Sequence, residues 1–548
     1  MLDARKTAAV VAMAGALAAC GGGGGSDPVV AASPAPLVSG KFAGPMEGLR
    51  YETASQAGLT DASGAFEYRQ GEMVRFYVGD ILLGEARGAE EMTLFNLAGF
   101  EAPPVAAREI RALANRMESF ELGTPIERVA NLATFLDTID EDNDAANGVV
   151  IPAVMHQIAA SRSINFDLTW GEFREHYPFM KLLGDAHDGA AWATIVERPM
   201  SNTAFAMDAL YESLGLVPQV YAENLLEIDS NNDGIVDMVD KYTYQPSGLL
   251  YEDVRDRDAD DTYESGYAYF YNTAGDRIGF LQRAVTGETR FTGYTRDDRG
   301  FVEKTEYTSY IGTKTNSYFA HNNYGQRLSI IVDEGANDST DEKTTYFYNT
   351  KGQLVQVDSD LDLDGTADMQ RTYEYDSNGF LTREEFDENM DGTPYELRTY
   401  TRNALGQRLT STNLVGGAGA TLLESTFEYN SNNQVSVITN KASTTTRNSY
   451  HYDANGHLVE RRAEFVNPDS LLQTWAYTRD ELGNIVTREE DRNGDGTIDY
   501  SYTRTYDVHG NRTREDVDTD GDDIVDYVVT VTNQAINRWG PIFDATGL

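Results

Sequence analysis

From Gly248 onward a turn glycine recurs at nearly fixed spacing. The positions are Gly248, Gly275, Gly300, Gly325, Gly352, Gly379, Gly406, Gly456, Gly483 and Gly510, with Asn433 standing in once. Most steps are 27 residues, with 25, 25 and 23 as the exceptions. An aromatic precedes most of them by six residues: Tyr242, Tyr269, Tyr294, Phe319, Tyr346, Tyr373, Tyr400, Phe427, Tyr450 and Tyr477. Self-similarity of this kind dictates a repeat architecture. In the unit Tyr373–Leu381, Tyr at alternate positions presents one stackable strand face. Asp376 followed by Gly379 supplies the left-handed position of a tight turn, and Leu381 starts the return strand. Each repeat therefore reads as one hairpin that cannot bury its face alone. Neighbours are expected to stack their Tyr/Phe rows into a thin continuous core. The expected fold is mainly β: a small N-terminal β-sandwich, a helical segment, then a long hairpin array (meander or superhelix) over 221–530 and a C-terminal cap over 531–548.

Eight residues after the turn glycine, several repeats carry an acidic loop. Three copies are complete: Asp229/Asn231/Asp233/Gly234/Asp237, Asp360/Asp362/Asp364/Gly365/Asp368 and Asp491/Asn493/Asp495/Gly496/Asp499. Calcium takes 6–8 oxygens at about 2.3–2.6 Å, so alternate side chains must converge while Gly bends the chain. Positions 1, 3 and 5, the carbonyl of position 7 and the acid at position 9 satisfy that demand. Magnesium suits a flexible carboxylate loop less well. Four copies are less complete. Asp387/Asn389/Asp391/Gly392 has Tyr395 in place of the last acid. Asp256/Asp258/Asp260 and Asp518/Asp520/Asp522, the latter with Asp526, replace the Gly by Asp261 and Asp523. Asp333/Asn337/Asp341 keeps fewer side chains. A further candidate is Asp140, Asp142 and Asp144, with Asn147, directly after a helical stretch. Solvated acidic turns are the alternative reading throughout. The complete loops lie 131 residues apart, twice, which fits either a duplication of five hairpins or selection for one face of the array.

Asp and Glu number 88 against 44 Lys and Arg, for a formal net charge of −44. Such a chain repels nucleic acid and anionic lipid, and favours cations or polymers read by hydrogen bonding and stacking. The one cysteine, Cys20, cannot form an intramolecular disulfide, so any staples would be metals.

Residues 1–19 have a basic start (Arg5, Lys6) and an apolar run too short to span a bilayer. Leu17-Ala18-Ala19-Cys20 resembles the lipobox of bacterial lipoproteins. The resemblance implies cleavage before Cys20 and its lipidation, and Gly21 in the next position favours the outer membrane. A Gly/Ala/Pro/Ser-rich tether fills the rest of 20–37. Beyond the leader no stretch approaches 18 continuous apolar residues. Within 38–100, Thr60-Asp61-Ala62-Ser63-Gly64-Ala65-Phe66-Glu67-Tyr68 resembles a hairpin of transthyretin-like domains, usually structural spacers. Strands are expected at Leu49–Glu52, Gly64–Tyr68 and Met73–Leu83. Residues 101–220 switch to helical spacing over Val105–Phe120 and Pro125–Ile139, the latter capped by Thr124, with further helices over Trp170–Leu183 and Thr203–Leu214. The acidic segment after Ile139 looks like one found after such β domains in other bacterial lipoproteins.

The Y-x-Y-D-x-x-G-x-L pattern, clearest in Tyr373–Leu381 and Tyr450–Leu458, resembles the YD repeats of the Rhs family over roughly 240–515. It departs in its longer period and inserted acidic loop, and the chain ends soon after the array with no appended segment large enough to be a toxin. The resemblance implies fold and location. The acidic loops resemble those of thrombospondin-type-3 and dockerin-like repeats, because position 12, where an EF-hand needs a bidentate acid, holds Asp240, Arg371 and Tyr502. No nucleophile-elbow, zinc-protease, P-loop or dinucleotide motif is present, and the seven histidines are scattered. The expected function is a surface-anchored, calcium-binding, non-catalytic adhesion, binding or envelope-structural module with a surface protein or polysaccharide as ligand. The alternatives are a carbohydrate-processing enzyme and an Rhs-like scaffold of a toxin or secretion system.

Overall fold

The computed structural model describes residues 35–117, 123–142, 148–192, 199–416, 421–466 and 469–543. The turns at the recurring glycines share one backbone construction, with Asp or Asn at its start in all but the first, where Gln245 stands. In the turn 376–380, Asp376 Oδ1 accepts from the Asn378 and Phe380 backbone N–H groups at 2.8 and 3.0 Å, and Gly379 sits at φ +93°. Asn433, the stand-in, takes φ +64°, a conformation Asn tolerates better than most residues. Just before each turn the ladder carries a one-residue bulge, as between Glu374 and Tyr375. The bulged side chain reaches back to the strand immediately before its own, which belongs to the preceding hairpin. Tyr348, Tyr375, Tyr429 and Tyr506 donate their hydroxyls to the carbonyls of Arg327, Leu354, Arg408 and Ile485, each 21 residues earlier, at 2.6–2.9 Å. Arg402 and Arg479 do the same to Leu381 and Leu458 through Nε. The second Tyr of the repeat is thus a hydrogen-bonding clamp between hairpins.

Consecutive strands pair antiparallel from Tyr221–Asp229 to Tyr527–Ala535, and these two pair with each other, closing a barrel of 24 strands. The hairpins join edge to edge and do not stack, so the expected thin core between Tyr rows is not formed. At ~4.8 Å per strand the backbone ring is roughly 40 Å or more across, too wide for opposite walls to touch. Strand residues are accordingly half-exposed on both faces. On Met369–Tyr375 and Leu381–Asp387 one face carries Gln370, Thr372, Glu374, Arg383 and Glu385, and the other carries Arg371, Tyr373, Tyr375, Glu384 and Phe386. Arg371 bonds Glu384 at 2.5 Å and lies 4.6 Å from the Phe386 ring centre.

One hydrophobic core runs through the N-terminal β region, the helices and the C-terminal segment, from Phe42 and Phe76 through Phe135 and Phe179 to Trp539 and Phe543. The β region holds the expected strands, with Met73–Leu83 divided into Met73–Val78 and Ile81–Arg87 by the Gly79-Asp80 turn. Helices cover Ala107–Met117, Pro125–Ile139 and Thr203–Ser213. Thr124 and Glu127 form a reciprocal capping box. The expected Trp170–Leu183 helix is two, Trp170–Arg174 and Tyr177–Asp188, because Pro178 belongs in a first helical turn and not in an interior. This cap docks on the turn end of the barrel. Asn115 Nδ2 donates to the Leu482 carbonyl and to Asn484, Asn202 Nδ2 to the Gly275 carbonyl, and Arg108 pairs with Glu481. No helix among the described residues is long and apolar enough to cross a membrane.

A candidate cation-binding rim

With the cap at the turn end, every acidic loop falls on the opposite rim. Closure also rearranges them. The loops starting at Asp491, Asp518, Asp229 and Asp256 become neighbours across the seam, and those at Asp333, Asp360 and Asp387 form a second arc. Asn232 Nδ2 bonds the Val525 carbonyl across the seam at 3.0 Å, linking the first loop to the last.

All seven loops share one frame, whatever their completeness. The position-1 carboxylate accepts from the backbone N–H of position 6: Asp229 from Gly234, Asp256 from Asp261, Asp333 from Asp338, Asp360 from Gly365, Asp387 from Gly392, Asp491 from Gly496 and Asp518 from Asp523, at 2.8–3.1 Å. The position-9 acid accepts from the N–H of position 2, as Asp237 does from Ser230, Asp368 from Leu361, Asp499 from Arg492 and Asp526 from Thr519, at 2.7–2.8 Å. Position 5 holds position 7: Asp233, Asp364, Asp391, Asp495 and Asp522 accept from Ile235, Thr366, Thr393, Thr497 and Ile524. Hydrogen bonds from Thr366 and Thr497 hold the carboxyls of Asp364 and Asp495 below the usual range.

Asp261, Asp338 and Asp523 adopt φ +70°, +65° and +66° where the complete loops have Gly. Asp visits this region through local hydrogen bonding, so the frame survives without the glycine. Leu363 and Met390 at position 4 are also left-handed, at +60° and +57°, a conformation that costs a bulky residue ~1 kcal/mol or more.

Three loops bring acid oxygens together. Asp256, Asp258, Asp260 and Glu264 form one group, Asp360, Asp362 and Asp368 a second, and Asp518, Asp520 and Asp526 a third, each with one oxygen per residue within 4.8 Å of the others. Glu264 joins the three aspartates from outside their alternating pattern; its position-9 register is the signal in the sequence that marks it. Repulsion from Asp260 raises the pKa of Asp258. In the second group Asp360 Oδ1 is buried without a hydrogen-bond partner. The position-3 side chain accepts from the position-5 N–H whether it is Asp or Asn: Asp362 from Asp364, Asn231 from Asp233, and Asn493 from Asp495 while its Nδ2 donates to Asp499. In the Asp387 loop Asn389 Oδ1 likewise accepts from Asp391 N–H. Carbonyl and carboxylate oxygens have two lone pairs each, so these contacts leave capacity for a cation. The donor set is all oxygen, as a hard divalent ion requires.

Asp140 caps the C-terminus of Pro125–Ile139 and accepts from Val150 N–H at 2.7 Å. It is fully buried, and Asp142 is described beside it. Asp144, Asn147 and Cys20 lie outside the described residues.

No family profile matches the chain, and no curated protein matches it. Among solved structures it is similar to a chain of the Photorhabdus luminescens Tc holotoxin pore, at 12% identity over 56% of this chain and 18% of that one, TM-score 0.26. A TcdB2-TccC3 crystal structure gives 13% identity over 54% and 22%, TM-score 0.19. A porin-like protein from Bacteroides uniformis gives 13% identity over 58% and 99%, TM-score 0.18. The chain thus spans about a fifth of the length of the toxin chains it matches.

Proposed function

We propose that this chain is a calcium-stabilised, non-catalytic binding or structural module of the bacterial envelope, lipid-anchored through Cys20 at the outer membrane. The observation that carries the calcium part is the common loop frame on one rim, with carboxylates converging around Asp256, Asp360 and Asp518. A rim of like charges repels itself, and divalent ions between the loops would relieve that repulsion where closure crowds them. Extracellular sites of this kind bind with Kd around 10⁻⁴–10⁻³ M, so the rim would be loaded outside the cell. The lipid anchor rests on the lipobox-like residues 17–20. Both faces of Met369–Tyr375 and Leu381–Asp387 carry charge, which suits a barrel bathed in water on each side rather than one facing lipid.

Calorimetric titration of calcium into the chelator-stripped chain tests the reading. Several sites of submillimolar to millimolar affinity, with a calcium-dependent rise in Tm, are expected. Absence of binding at millimolar calcium would reduce the loops to self-sufficient turns and end the proposal. A second reading, a shell of Rhs type, is favoured by one observation: YD-like hairpins closed into a wide ring enclose a lumen. Retention of a co-expressed polypeptide inside the barrel would distinguish it.

A further inference from the structure

At the turn end, opposite the acidic rim, a cavity of about 940 Å³ lies between the helices of the cap and the ends of consecutive barrel strands. Its wall holds five arginines, Arg174, Arg277, Arg296, Arg299 and Arg327, against two acids, Glu175 and Asp276. In a chain of net charge −44 this is a local inversion of sign. Among the described residues no carboxylate lies within ion-pair distance of Arg174, Arg296 or Arg327. Arg174 donates to the Ser201 carbonyl at 2.8 Å, and burial lowers its pKa. Arg296 donates to the Gly300 and Arg277 carbonyls, while its Nε is buried without a partner. Arg327 lies 4.8 Å from the Phe319 ring centre. The guanidinium of Arg296, held by backbone carbonyls, and that of Arg327, set over a ring, are paired with no acid and keep their charge available to a ligand.

Much of the remaining wall is aromatic. Trp170, Tyr177, Phe301, Tyr324, Tyr348 and Tyr375 line it, and the hydroxyls of Tyr348 and Tyr375 are spent on the barrel clamp. What they leave for a guest is ring face. The volume falls at the upper end of the ~300–1,000 Å³ typical of small-molecule sites.

We propose that this cavity binds an acidic oligosaccharide: sugar rings against the aromatic wall, and carboxylate or sulfate groups on Arg296 and Arg327. The proposal deepens the binding-module reading and rests on it. It does not depend on calcium, because the rim and the cavity lie at opposite ends of seven-residue strands, roughly 24 Å apart.

The test is calorimetry on the whole chain with a galacturonic-acid trisaccharide, the neutral galactose trisaccharide and sodium sulfate. Chelator is present, so that calcium cannot bridge sugar to protein. The acidic trisaccharide should bind at least tenfold tighter than the neutral one and than sulfate. Arg327→Ala should weaken it about tenfold at unchanged Tm, and Arg327→Lys should restore part of the loss; Arg296→Gln should also weaken it about tenfold, with Tm lowered by the loss of its bonds to the Gly300 and Arg277 carbonyls. Equal affinity for acidic and neutral sugars, no binding at 10 mM (roughly the weakest range that calorimetry reads), or no effect of either variant would overturn the proposal. Sulfate binding as tightly as the trisaccharide would remove the sugar from it. A chain that binds calcium at the rim and no acidic sugar loses this inference and keeps the calcium reading.

Discussion

Replacing Asp360 by Asn should move the second acid group in opposite directions with and without calcium. The Asn carbonyl can still accept from Gly365 N–H, as Asp360 does at 3.1 Å, so the loop frame is kept and one negative charge is removed. The Asp360 carboxylate faces those of Asp362 and Asp368 within 4.8 Å. Two unit charges at that separation repel by roughly 0.9 kcal/mol in water, and physiological salt about halves it. Relief from two neighbours therefore stabilises the calcium-free loop by about 1 kcal/mol. With calcium the sign reverses: an anionic ligand is lost from the group, and affinity there should fall tenfold or more, ~1.4 kcal/mol. Hydrogen exchange of a peptide covering 354–375 reads both arms. In chelator the variant should exchange as slowly as the wild type or slower, and in millimolar calcium only the wild type should gain protection. Equal calcium-induced protection in both chains, or none in the wild type, would refute the argument.

Four further outcomes are expected. Burial raises the Asp208 carboxyl to about 7 while Trp539 N–H donates to it; because this folded pKa lies above the unfolded one, its destabilising effect is absent below about pH 4 and complete above 7. Stability should then fall across that window by up to ~1.4 kcal/mol per pH unit, and the Tm gap to Asp208→Asn should open between pH 4 and 7; a constant gap counts against it. Gly352→Ala should loosen the cap, since φ is +78° and an added Cβ would lie 2.3 Å from the Tyr177 ring, and faster proteolysis of the helices would report it. Tyr375→Phe deletes one clamp bond to Leu354 and should cost about 1 kcal/mol in urea denaturation. Cys20→Ala should release the chain from the membrane fraction of a bacterial host; continued sedimentation with membranes would remove the lipid anchor from the reading.

The hairpins were legible because turn chemistry is local: an Asx acceptor and a left-handed residue three positions on announce most of the turns at the cap end. The helix cap at Thr124 was legible for the same reason. Ring closure was not, since the pairing of Tyr221–Asp229 with Tyr527–Ala535 joins strands some 300 residues apart and leaves no mark in either. Without closure the crowding of the Asp491, Asp518, Asp229 and Asp256 loops could not be foreseen. The loops bearing Asp261 and Asp523 read as incomplete only where glycine is required at the left-handed position, which Asp also holds. The arginine cavity was invisible for another reason: its members come from separate repeats and from the cap, and only the fold assembles them.

The seam also sets an order of events. Residues 221–229 leave the ribosome about 300 positions before their partner strand, so for most of synthesis the first strand presents an unpaired edge, the kind that invites intermolecular pairing. The same late stretch that supplies Tyr527–Ala535 carries Trp539 and Phe543 into the cap core. The ring and the cap are therefore completed by one final arrival. A nascent chain halted anywhere upstream of it holds both an open sheet and an unfilled core, and is recognisable to chaperones and proteases on two counts at once.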